Sequence, residues 1–71
     1  MGREIKAHIT GTVWKIEVAP GDVVDDTTVV AILESMKMEM PVEAEEAGTV
    51  AEVLVTEGQS VIEGAVLVRL A

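Results

Sequence analysis

An all-β domain, a sandwich or flattened barrel of eight short strands, is predicted by three observations. Apolar and polar residues alternate over short stretches rich in Val, Ile and Thr. Gly and Pro fall where strands of about five to seven residues should end. A shift of 37 positions superposes residues 3–33 on residues 40–70 with 9 of 31 pairs identical: Ala7/Ala44, Gly11/Gly48, Thr12/Thr49, Val13/Val50, Val18/Val55, Gly21/Gly58, Val24/Val61, Val29/Val66 and Leu33/Leu70. Two copies are too few for a solenoid, so the repeat implies one domain, residues 1–71, with internal pseudo-two-fold symmetry.

Each half should supply four strands, at Glu4–Ile9, Thr12–Ala19, Val23–Val24 and Thr28–Glu34 in the first, with counterparts in the second. Strict alternation places Trp14, Ile16 and Val18 on one face and Lys15 and Glu17 on the other. Trp14 is then expected to anchor the core, with a partner-binding role as the alternative. The segments Thr28–Leu33 and Ala65–Leu70 are more uniformly apolar, as strands covered on both sides tend to be. Ala19-Pro20-Gly21-Asp22 has Pro where a preset φ helps a turn and Gly where a type II turn needs positive φ. Glu57-Gly58 takes the same place in the second half, Gly64 follows Ser60-Val61-Ile62, and Met1 to Arg3 read as a short lead-in.

Composition restricts the chemistry to be expected. The chain has 71 residues, no cysteine, one His, one Trp and a formal net charge of -8. There is accordingly no thiol for a disulfide, metal site or nucleophile. His8 has no second histidine with which to share a metal and reads as a solvent-facing strand residue. The anionic surface disfavours nucleic acid, and no apolar run reaches the roughly 18 residues of a membrane helix. Without the layout of a signal peptide, the expected setting is cytoplasmic.

The seam between the halves, Glu34-Ser35-Met36-Lys37-Met38-Glu39-Met40, carries the functional signal. Symmetry sends it to one end of the domain and the termini to the other. With strands ending near Glu34 and restarting near Met38, about two residues remain to reverse the chain, a task suited to Asn-Gly or Gly-X. Either Met36-Lys37 forms a tight turn against its local preference, as functional positions do, or the loop is longer and unstrained. Lys37 at such a tip gains meaning as an acceptor for an activated acyl group. Met36 and Met38 are then recognition features, although methionine alone is more often a core filler. Glu34 and Glu39 are candidates for orienting the lysine or its modifying enzyme, with plain solvation as the alternative.

Ser35-Met36-Lys37-Met38 resembles the Ala-Met-Lys-Met hairpin of biotinyl domains, differing by Ala to Ser. Glu39-Met40-Pro41-Val42, Gly48-Thr49-Val50 and Glu57-Gly58 extend the resemblance over nearly the whole chain. Ala7-His8-Ile9-Thr10-Gly11 lacks the prolines many members carry before this glycine, which bears on the local strand entry. The resemblance implies a barrel-sandwich hybrid with the attachment lysine on a hairpin opposite the termini. It also implies that biotin protein ligase transfers biotin from biotinyl-AMP to Lys37, with Ser35, Met36, Met38, Glu34 and Glu39 read by ligase or partners. The attached group would take a carboxyl group at a biotin carboxylase site, using ATP and bicarbonate, and deliver it at a carboxyltransferase site, as in acyl-CoA carboxylases. The domain itself would be a non-catalytic carrier, and Met1 shortly before a strand fits a free-standing attachment protein. A lipoyl carrier would share the fold but typically has an acidic residue before the lysine and Ala after it. An unmodified adaptor of the same shape is the third reading.

Overall fold

The computed structural model describes residues 3–71, so Met1 and Gly2, the start of the expected lead-in, lie outside the described residues. Every regular element among those residues is a strand: β1 Arg3–Lys6, β2 Gly11–Ile16, β3 Val23–Val24, β4 Val29–Ser35, β5 Met38–Glu43, β6 Gly48–Val53, β7 Ser60–Val61 and β8 Val66–Leu70. They form two antiparallel four-stranded sheets, β1-β8-β6-β3 and β5-β4-β2-β7. Each sheet takes two strands from each half of the repeat, so neither half can complete a sheet alone.

Registers repeat as faithfully as the sequence does. Val13 faces Leu33 and Lys15 faces Ile32 across β2 and β4, while Val50 faces Leu70 and Glu52 faces Arg69 across β6 and β8. Both pairings skip one residue, Trp14 in the first half and Ala51 in the second. Such a bulge adds a residue to one strand and resets the alternation. The expected face of Trp14, Ile16 and Val18 is therefore corrected: Val13 is fully buried, Ile16 and Val18 are half-buried, and Trp14 is 44% exposed.

Leu33, Leu67, Leu70, Val13, Val30, Val50 and Val68 form the fully enclosed centre between the sheets. Each such side chain contributes about 1.5–3 kcal/mol relative to an exposed one. No buried polar or charged residue interrupts this core among the described residues. Ile32 is half-buried rather than enclosed, because its register places it on the outer face rather than between the layers.

Turn chemistry follows the sequence closely. Asp22 N donates to Ala19 O at 3.1 Å, and Gly21 has φ 95°. Gln59 N donates to Thr56 O at 3.1 Å, and Gly58 has φ 91°. Before β1 can lead into β2 the chain bends at His8–Thr10, so His8 is exposed but not in a strand. Thr10 Oγ1 accepts a 3.1 Å hydrogen bond from Glu63 N, tying that proline-free entry to the second half.

The seam lies at the end opposite Arg3 and Leu70. β2 starts beside the β4 end, with Thr12 opposite Glu34. By Gly21, which donates to Val50 O, the chain has reached the start of β6, where Val50 faces Leu70. Leu70 in turn pairs with Arg3.

Candidate functional site at the β4–β5 hairpin

β4 ends at Ser35 and β5 begins at Met38, and these two residues face each other across the ladder. Only Met36 and Lys37 reverse the chain, with φ 53° and 65°. The longer, unstrained loop is thereby ruled out. Positive φ at both central positions marks the type I′ reversal, whose twist matches the flanking strands. For side chains other than Gly the left-handed region costs roughly 1–2 kcal/mol per residue.

What holds the hairpin in place is the strand beside it. Gly11 packs so closely that a Cβ there would lie 2.6 Å from Glu34 O and 3.4 Å from Ser35 Cβ. Only glycine lets β2 approach at this point. Ser35 is half-buried at the base, while Met36 and Met38 are 91% and 60% exposed. Neither methionine fills the core.

Lys37 is exposed at the tip. Among the described residues the ion pairs are Arg3 with Glu46 and Arg69 with Glu52, and Lys37 joins neither. An ε-amino group so placed, on a flexible stem and between two exposed thioethers, fits covalent acylation by an external enzyme. Glu34 and Glu39 face each other one register step below the turn and are both exposed. Like charges opposite one another destabilise a sheet, so this pair is not explained by folding. Elsewhere, a groove of about 270 Å³ lies between the edge strands β1 and β5, lined by Ile5, Lys6, His8, Val42, Glu43 and Glu45. No pattern in the sequence marks this groove, which forms only where the two sheet edges meet.

Asp25 accepts hydrogen bonds from Thr27 N at 2.9 Å and from the Thr27 and Thr28 hydroxyls at 3.0 Å. The Thr27 amide, then the two hydroxyls, hold its carboxyl below the usual aspartate value of 3.8. This turn leads into β4, the strand that carries the site.

Comparisons with known proteins agree with this geometry. The family model described as "Biotin-requiring enzyme" matches residues 1–70. The biotin/lipoyl attachment protein of Bacillus subtilis is 46% identical over 66 residues, covering 93% of this chain and 90% of that relative. The biotin carboxyl carrier protein of Streptococcus mutans is 42% identical over 65 residues, covering 92% of this chain but only 50% of the relative. The crystal structure of the urea carboxylase of Kluyveromyces lactis superposes with a TM-score of 0.92 and 32% identity over 100% of this chain and 6% of that one. By sequence, fold and hairpin, the chain belongs to the biotin/lipoyl attachment family.

Proposed function

We propose that the chain is a biotin carboxyl carrier whose attachment point is Lys37. The observation that carries this reading is the two-residue reversal. Lys37 and the exposed Met36 are both held at positive φ, where local preference favours Asn-Gly. The names of the Bacillus and Streptococcus relatives support the choice of group. Methionine on both sides of the lysine favours biotin over lipoate.

In this reading biotin protein ligase removes a proton from the Lys37 ammonium, and the amine attacks the acyl carbonyl of biotinyl-AMP. A C–N bond forms, the C–O bond to phosphate breaks, AMP leaves, and the nitrogen gives up a second proton to solvent as it becomes an amide. When bound, the group supplies the ability to accept a carboxyl group at one site and release it at another. Lys37 contributes a flexible stem, and the sheets contribute a rigid base from which it extends. The domain supplies no acid or base to the transfer. Tethering replaces free diffusion with a local concentration set by the reach of the arm. Partners are the ligase and the biotin carboxylase and carboxyltransferase components, in the cytoplasm where ATP and bicarbonate are available.

The test is co-expression with biotin protein ligase and intact-mass measurement of wild type and Lys37→Arg. Wild type should gain one biotinyl group and the variant none. Equal gain by both, or a lipoyl adduct in a parallel reaction with lipoyl ligase but no biotinyl one, overturns the assignment. No adduct with either ligase favours the adaptor reading.

A further inference from the structure

The pseudo-two-fold symmetry provides an internal comparison between the outer faces of the two sheets. Across β6, β8 and β1 the outward row is Glu52, Arg69 and Glu4, with an ion pair between Arg69 and Glu52. The bulge residue beside that row is Ala51. The equivalent row across β2, β4 and β5 is Lys15, Ile32 and Pro41, and its bulge residue is Trp14. One face is thus a charged ladder, and its symmetry mate is apolar at the centre.

Trp14 stands on the outer surface, since Lys15 Nζ lies 6.0 Å from its ring centroid and both side chains are exposed. One row nearer the hairpin, the same face carries Thr12, Glu34 and Glu39. The two carboxylates oppose each other without a basic neighbour in their row, at a cost to the sheet. An apolar centre with an aromatic residue and a charged rim has the composition of an interface patch.

Charge selects the occupant. A second copy of a chain with net charge -8 would bring two such acidic rims together. A surface carrying Lys or Arg beside an apolar contact would instead relieve the Glu34–Glu39 repulsion. Position selects further. The apolar row begins about 15 Å along the strands from Lys37, taking roughly 3.3 Å per residue. An enzyme acting on the Lys37 amine must approach the tip itself. One that serves the far end of the lysine stem and its acyl chain has room to rest on the strands behind the tip.

We propose that the outer face of β2, β4 and β5 docks a basic surface of the biotin carboxylase component, with Trp14, Ile32 and Pro41 as apolar centre and Glu34 and Glu39 as electrostatic guide. This rests on the carrier reading. The face places the partner alongside the hairpin strands, with the arm extending from their tip into its site.

The test uses the biotinylated domain with the cognate biotin carboxylase component of the same organism, ATP and bicarbonate, following ADP release. Trp14→Ala should raise KM for the domain by about ten-fold or more, as loss of an aromatic hot spot does, with kcat unchanged. Ile32→Thr should act in the same direction, and Glu34→Gln with Glu39→Gln should flatten the rise of KM with salt. Glu4→Gln on the opposite sheet should leave KM unchanged, and turnover of free biotin should be unaffected throughout. Folding of each variant is checked by thermal melting. Unchanged KM in folded Trp14→Ala and Ile32→Thr overturns the proposal, as does a defect confined to the ligase reaction. If wild type accepts no biotin, the carrier reading itself fails, and this inference with it.

Discussion

Met36 and Lys37 occupy consecutive left-handed backbone positions, with φ of 53° and 65°, in the reversal between β4 and β5. Neither residue prefers that region, and the strand pairing on both sides enforces it. Replacing them by Met36→Asn and Lys37→Gly should therefore stabilise the domain by about 1–2 kcal/mol. For a domain this small, that corresponds to a rise in Tm of about 4–8 °C per kcal/mol. The same change should abolish biotin acceptance. A double variant that melts at or below the wild-type temperature would show that the reversal is not strained.

The symmetry-related glycines should differ in sensitivity. A Cβ on Gly11 meets the Glu34 carbonyl at 2.6 Å, a backbone atom held in the β4 ladder. At Gly48 the nearest neighbour is the guanidinium end of Arg3, an exposed side chain that can swing away, with Leu70 Cδ1 at 3.2 Å. Gly11→Ala should cost about 1–3 kcal/mol as an overpacked position, and Gly48→Ala less. Denaturant melts of the two variants compare them directly. Because Gly11 supports the strand end that carries Lys37, slower biotinylation of Gly11→Ala is also expected.

Trp14 and Leu33 reverse the ranking that hydrophobicity alone suggests. Leu33 is fully enclosed, whereas Trp14 sits outward on a bulge and is 44% exposed. Leu33→Ala should cost about 2–5 kcal/mol, a large part of the stability of a small domain. Trp14→Ala should cost clearly less. Chemical denaturation of both variants decides the matter, and an equal loss would return Trp14 to the core.

Trp14 also shows where legibility in the sequence ends. The repeat, the turns at Gly21 and Gly58 and the seam at Lys37 could be read because each rests on local chemistry or on spacing. The face of Trp14 could not, since period-two counting assumes an uninterrupted ladder. The bulge is set by the pairing of Val13 with Leu33 and of Lys15 with Ile32, far along the chain, and Ala51 at the matching place carries no signal of it. His8 fails for a related reason: its apolar neighbours suit a strand, but the chain must bend there to cross between sheets. At the candidate site, the place of Lys37 and its methionines on a tight turn was legible, whereas the repulsive pairing of Glu34 with Glu39 needed the register. The apolar row of Ile32 and Pro41 needed it too.

Acid should weaken the turn that leads into β4. In the folded state Asp25 accepts hydrogen bonds from the Thr27 amide and from the hydroxyls of Thr27 and Thr28, which lower its pKa below the usual 3.8. A carboxylate lowered in this way adds stability that is fully present above its unfolded value. That stability is lost as pH falls through the folded value. Asn at the same place keeps an acceptor for the turn but cannot ionise. The Tm of wild type minus that of Asp25→Asn should therefore be constant from neutrality down to about pH 5 and shrink as pH drops below about 4. Comparing the two proteins at each pH cancels the general effect of protonating the other carboxylates of this acidic chain. A difference that stays flat to about pH 2, or grows, would show that the Asp25 charge is not what the Thr27 and Thr28 donors stabilise.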